Sequence, residues 1–230
     1  MKKNCLIQLV AVAVFMLLPH LLSESQAAGI GIYYTVGSGT GNWSLEDGDD
    51  YIEDFYDTAP MDIEVSGSGY GFVFDTNVAK NKIFNYRLSI GVENNEYELD
   101  FSPDDEIIPA DAFTEDVDIN YFVVDNTFGF AFFKTPAIRI WAGPELKIAY
   151  GNGDSDRYDN ITMLKLGIGP VVGLNFNIGK LFTIGVTSGY LFEGVQGYGE
   201  NPDGDDADFD GSNTYFYMNL SVLYRFSFME

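Results

Sequence analysis

Beyond residue 27 the chain contains neither cysteine nor histidine, because Cys5 and His20 are the only ones and both precede that point. The remainder cannot form a disulfide, a Cys/His zinc site or a histidine-based nucleophile relay. Basic residues are few. After residue 27 there are 10 Lys and Arg against 34 Asp and Glu, a net charge of −24. Such a surface repels nucleic acid and attracts cations. Long apolar runs are missing as well: no stretch of 18 apolar residues follows the first segment, so no transmembrane helix is expected. The charge is not a mark of disorder, since 46% of the residues are hydrophobic and 16% aromatic.

The first segment reads as a cleavable signal peptide, residues 1–27. Lys2 and Lys3 are its positive start, and Leu6 to Leu18 is an apolar stretch too short to span a bilayer as a helix. Ser25-Gln26-Ala27 supplies the small residues a signal peptidase needs, with cleavage after Ala27. Cys5 precedes the apolar stretch, so it does not stand at a lipoprotein cleavage site. Residues 28–230 then form one domain.

What fills that domain is alternation with a period of two, the signature of strands with two unlike faces. The last strand is the clearest. Phe216, Met218, Leu220, Val222, Tyr224, Phe226 and Phe228 oppose Tyr215, Tyr217, Asn219, Ser221, Arg225 and Ser227, with Leu223 as the exception. The same division recurs upstream, as where Leu164, Leu166, Ile168, Val172, Leu174 and Phe176 oppose Lys165, Gly167, Gly169, Gly173 and Asn175. Eight strands are expected, near 29–39, 62–75, 83–97, 117–133, 137–150, 161–178, 181–196 and 214–228. Ile63 and Val65 fall on the wrong face of the second, which predicts a bulge or an early loop residue there. Pro144 and Pro170 face outward within strands and predict a bulge or local break, because proline cannot donate to a ladder.

A soluble barrel also alternates, but it hides its apolar face and shows its charges. Here few charges occur within the expected strands, and the polar face is glycine-rich. That pattern suits a narrow interior with lipid outside. The fold class expected is all-β, an eight-stranded antiparallel up-and-down transmembrane β-barrel, since only helices and closed barrels satisfy every backbone group in lipid. Of the 34 acidic residues, 27 fall in the connections 40–62, 94–118, 151–160 and 197–213. The other connections, Thr76–Lys82, Lys134–Pro136 and Gly179-Lys180, are short or basic. This predicts four long acidic external loops, tight periplasmic turns, and both termini in the periplasm.

Nine charges face the expected lumen: Arg87, Arg139, Lys147, Lys165 and Arg225, with Glu93, Asp125, Glu145 and Glu193. They read either as a selective ionic pathway or as a salt-bridged plug. The plug is favoured, because eight strands leave room for little beyond side chains. Asp206, Asp208 and Asp210, followed by Gly211, match the first half of a calcium loop. The twelfth position, Tyr217, lacks the bidentate Glu, so the match is weak and a solvated acidic loop is the plainer reading. Loosely held divalent cations at the loops are the only cofactors expected. Tyr34, Tyr86, Tyr150, Tyr190 and Tyr224 read as interfacial girdle residues, and Trp141 as lumen packing.

Together these features resemble the small outer-membrane barrels of Gram-negative bacteria: OmpX-like and OmpW-like proteins and the transmembrane part of OmpA-type proteins. The resemblance covers residues 28–230 and includes the closing Tyr224, Phe226 and Phe228, which look like the aromatic signal read by the barrel-assembly machinery. In that family the aromatic is usually last, whereas here Met229 and Glu230 follow. The resemblance implies a place in the bacterial outer membrane. It also implies lipid, lipopolysaccharide, periplasmic chaperones and the assembly machinery as partners. It names no external ligand. Without histidine, enzymatic activity is not expected. Two roles stand open: a structural or surface-interaction protein, or a narrow porin-like passive channel for small or apolar solutes.

Overall fold

In the computed structural model, the residues described are 28–78, 83–101, 114–155, 159–200 and 206–226, except 48–58. Residues 1–27, expected from the sequence to be a signal peptide, and Phe228 lie outside them. Eight strands run in order: β1 (Ala28–Asp47), β2 (Ala59–Asp75), β3 (Phe84–Phe101), β4 (Thr114–Lys134), β5 (Ile138–Ser155), β6 (Asp159–Ile178), β7 (Phe182–Glu200) and β8 (Asp206–Phe226). Each pairs antiparallel with the next, and β8 closes on β1. The line of cross-strand partners that leaves β1 at Tyr34 passes Tyr70, Val92, Phe122, Tyr150, Leu164, Gln196 and Asp210 and returns at Ser44, ten residues further along. That stagger tilts the strands by about 40°.

The even-numbered rows stand outside. Phe72 is 69% exposed and Ile168 60%, and Ile32, Phe122, Phe192 and Leu220 join them around the wall. The outward apolar stretch is short in β1, from Ile30 to Val36, and long in β6, from Leu164 to Ile178. A bilayer asks of a barrel an outward apolar band about 25 Å tall. One exception lies within the outer row. Tyr86 is buried rather than presented as a girdle residue: its ring packs on Phe128 at 5.4 Å and its hydroxyl donates to Asn126 Oδ1 at 2.6 Å.

No bulge occurs at Ile63 and Val65. The β1–β2 register runs unbroken from Gly29↔Asp75 to Leu45↔Ala59, and both side chains remain inside, 2% and 3% exposed. The two faces exchange chemistry instead. Towards the acidic end the interior becomes apolar, with Trp43, Met61, Ile63, Val65, Tyr97, Leu99, Val117, Ile119, Ile161, Met163, Val195 and Phe209 in one buried cluster. The exterior there carries Asp62, Glu64, Glu96, Glu98, Asp116, Asp118, Asp154, Asp208 and Asp210. Many acidic residues expected in loops therefore belong to strands, which run beyond the apolar band as a water-surrounded barrel built on soluble rules. Leu223, the odd apolar residue of β8, has a parallel cause. It packs inside against Tyr33, Val73 and Val78 in a small cluster near the other end.

The prolines behave as expected of breaks. Pro144 and Pro170 face each other across β5–β6. Pairing with β4 lapses between Thr127 and Phe130, and pairing of β6 with β7 lapses between Ile168 and Val171. A Cβ on Gly143 would lie 1.9 Å from Phe128 O, and one on Gly169 would lie 1.9 Å from Tyr190 O, so both Gly-Pro pairs need glycine for this approach. A true bulge lies elsewhere, between Ala131 and Phe133. The β6–β7 turn uses Gly179 at φ 58°.

Three substitutions test the exchange of faces. Leu220→Arg, on the lipid band, should cost about 2–4 kcal/mol and block assembly into vesicles. Glu64→Arg, on the same outer face beyond the band, should assemble normally. Ile63→Arg, one residue away but inside, should fail. Assembly is read by heat-dependent gel mobility, and equal tolerance of Glu64→Arg and Ile63→Arg would refute the assignment.

Candidate lumen ionic network

The nine charges expected inside do not form one network. Eight of them line the interior in two tiers. In the middle of the barrel, Lys147 Nζ sits 2.7 Å from Glu93 Oε2, with 3% and 5% of the side chains exposed. Across the wall Lys165 Nζ lies 3.9 Å from Glu193 Oε2 and 4.0 Å above the centre of the Tyr121 ring. Among the described residues Glu145 has no basic partner within hydrogen-bonding distance. Its oxygens instead accept from Tyr217 Oη at 2.5 Å and Thr127 Oγ1 at 2.7 Å. Asp125 stands opposite Lys147 in the β4–β5 register, and its Oδ1 is buried without a hydrogen bond. Nearer the short turns, Arg87 donates to Ser221 Oγ at 2.9 Å, and Arg139 donates to Asn85 Oδ1 at 3.3 Å and Ile83 O at 3.2 Å.

Arg225 departs from the expectation. It is partly exposed at the β6–β7 turn, where it donates to the carbonyls of Gly179 and Ile178. It is the last residue but one of the paired β8, and its guanidinium is engaged at the turn rather than by the other charges. Conversely, Asp75 escaped the sequence reading because it ends its strand. It is fully buried, accepting from the Asn77 backbone N–H at 2.9 Å and from Asn85 Nδ2 at 3.4 Å. The period-two pattern alone held the signal, since Asp75 shares the inward parity of Val73.

Aromatic side chains supply much of the filling that the glycine-rich pattern did not reveal. Trp141 is wholly buried, and its ring occupies the space over Gly173, where a Cβ would come within 2.1 Å of it. Tyr97 and Tyr121 meet hydroxyl to hydroxyl at 2.9 Å, and Tyr121 reaches Met163 Sδ at 3.3 Å. Above them Trp43 stacks against Tyr97 at 4.9 Å and donates to Asn213 Oδ1 at 2.8 Å. The ionic tier is thus roofed by the apolar cluster.

The calcium-loop match does not fold as a loop. Asp206, Asp208 and Asp210 stand in β8, paired with β1 and β7. An extended strand spaces alternate residues nearly 7 Å apart and cannot wrap three carboxylates around one ion. Among the described residues no group of three or more metal-ligating side chains converges. Of the closing aromatics, Tyr224 is exposed with its ring 5.8 Å from Phe182, and Phe226 is half-buried.

No protein-family model and no curated protein matches the chain. Solved structures do. The chain is similar to the outer membrane protein OprG from Pseudomonas aeruginosa, with a TM-score of 0.65 at 11% identity over 88% of this chain and 97% of that one. It is also similar to Ail, the attachment invasion locus protein of Yersinia pestis (TM-score 0.40, 15% identity, 88% and 99% covered). A third likeness is to the outer membrane protease OmpT from Escherichia coli (TM-score 0.40, 10% identity, 88% and 98% covered). At these identities the likeness to OprG is one of fold. The protein has the fold of the small eight-stranded outer-membrane β-barrels.

The Glu93–Lys147 pair yields a direct test. Lys147→Met leaves a buried carboxylate unpaired and should cost about 3–5 kcal/mol. The double variant Lys147→Met/Glu93→Leu should recover most of that. Urea midpoints of the barrel in lipid vesicles measure both, and equal losses would show that the two groups are not coupled.

Proposed function

We propose that this protein is a structural or surface-interaction barrel of the outer membrane that does not conduct. In this reading Ala28 and Phe226, which pair at the short-turn end, lie on the periplasmic side. The acidic end projects outside, and lipid, lipopolysaccharide, periplasmic chaperones and the assembly machinery are its partners. The protein performs no enzymatic reaction. The observation that carries the reading is the roofed interior. Ionic side chains occupy the mid-barrel, and a continuous apolar cluster from Trp43 to Phe209 stands between them and the acidic end. An ion entering there would have to cross this apolar layer, and burying it among apolar groups is costly.

A narrow passive channel is the second reading, and one observation favours it. Tyr33 Oη, Asp125 Oδ1, Thr187 Oγ1 and Asn219 Oδ1 are buried without hydrogen-bond partners, which suits a hydrated interior. Planar-bilayer recording decides between the two. The purified barrel should leave the membrane silent, and discrete openings with wild-type protein would overturn the non-conducting reading.

A further inference from the structure

The outer wall is stratified in the same order along β2, β4, β5 and β8. Outward-facing residues pass from apolar, through neutral hydrogen-bonding, to acidic. In β1 the neutral tier of Ser38, Thr40, Asn42 and Ser44 follows Val36. In β2 the order is Tyr70, then Ser68 and Ser66, then Glu64 and Asp62. Phe122, Asn120, Asp118 follow it in β4, Tyr150, Asn152, Asp154 in β5, and Phe216, Thr214, Ser212, Asp210 in β8. Among the described residues no Lys or Arg stands on the outer wall beyond the apolar band. The acidic tier is unrelieved: Glu64 lies directly opposite Glu98, and Glu98 opposite Asp116. Like charges so placed repel, so this order is not one that strand pairing alone would favour.

The neutral tier is widest on β1, β2, β7 and β8, and there it is hollowed. Two adjoining troughs of about 590 Å³ each share Thr40, Glu64 and Thr214. Ser38, Ser66, Gly194 and Ser212 keep them open. Tyr190, Phe192 and Phe216, all at the edge of the lipid-facing band, form the border nearest the membrane, and Glu64, Glu96 and Glu98 form the opposite one.

We propose that this trough seats the sugar headgroup of a glycolipid from the outer leaflet. The proposal rests on the membrane orientation given above. Three features select this occupant. The trough continues the lipid-facing surface upwards, so what fills it is joined to an acyl chain in the band below. Its lining offers hydroxyls, amides and the carboxylates of Asp62, Glu64, Glu96, Glu98 and Asp116 without cationic groups, which suits sugar hydroxyls as donors and gives an anionic phosphate no direct partner. Aromatic rings along the lower border suit the apolar faces of sugar rings. Phosphates on the same lipid stand clear of the carboxylates or meet them through divalent cations.

The test uses the folded protein in vesicles of phosphatidylcholine containing trace rough-type lipopolysaccharide or, separately, trace phosphatidylglycerol. After extraction into mild detergent, the bound lipid per barrel is counted by mass spectrometry. Wild type should retain lipopolysaccharide over phosphatidylglycerol by at least about tenfold, and Thr40→Phe/Thr214→Phe, which fills the trough, should remove the preference while heat-dependent mobility stays native. Retention unchanged in that variant overturns the proposal. So does retention abolished by EDTA alone in both proteins, which would make the contact a cation bridge to the acidic tier. If the wild-type barrel inserts but shows no preference, the headgroup site fails. If it does not insert at all, the outer-membrane reading fails as well and the proposal with it.

Discussion

A strand in hydrocarbon cannot leave its N–H and C=O groups unpaired, and a sheet escapes that penalty only by having no edge. The pairing of β8 with β1 removes the edge here, and nearly everything else is a consequence. Closure over eight strands with a stagger of ten residues sets the tilt, and with it the narrow bore. A narrow bore demands glycine wherever a large side chain crosses it, as Trp141 does over Gly173. It also brings ionisable groups close together, as Lys147 and Glu93 are at 2.7 Å. Two lapses in the ladder fall at the Gly-Pro pairs, where a backbone donor is missing by chemistry.

Closure does not dictate which face is apolar; the surroundings do. Through the band, lipid lies outside and the polar rows turn in. Beyond it, water lies outside and the same strands carry carboxylates outward and aliphatic side chains inward. One ladder therefore hosts two barrels stacked end to end, the lower obeying membrane rules and the upper soluble ones. The upper barrel's core is what closes the lumen, so the feature that lets the strands project into water also underlies the non-conducting reading. Lys147 and Lys165 sit at the junction, with their ammonium groups over tyrosine rings and against carboxylates, where polar and apolar filling meet.

Much of this was legible in the residue order. Strand number, strand parity, the inward place of Trp141 and the breaks at Pro144 and Pro170 all follow from side chains alternating on a pleat. Legibility ended where the environment changed. Ile63 and Val65 look like a phase error under the assumption of one solvent, and they are not an error once water replaces lipid outside. The Asp206–Asp210 run has the spacing of a loop in one dimension but pairs on both sides as a strand. Arg225 and Asp75 have the parity of lumen residues, yet their roles are set by height along the axis: one reaches the turn, and the other is enclosed beneath Arg87.

By itself, the sequence determined that alternate residues meet different surroundings, that eight ribbons of suitable length exist, and that no thiol or imidazole chemistry is available beyond residue 27. These are local properties of a two-residue repeat and of composition. Only the tertiary structure decided which charges pair, where the interior turns from ionic to apolar, and how the outer wall is layered. Such facts depend on the stagger between strands. Stagger sets the height of every residue on the barrel axis, and it arises from ring closure, a constraint on all eight strands at once that no single strand encodes.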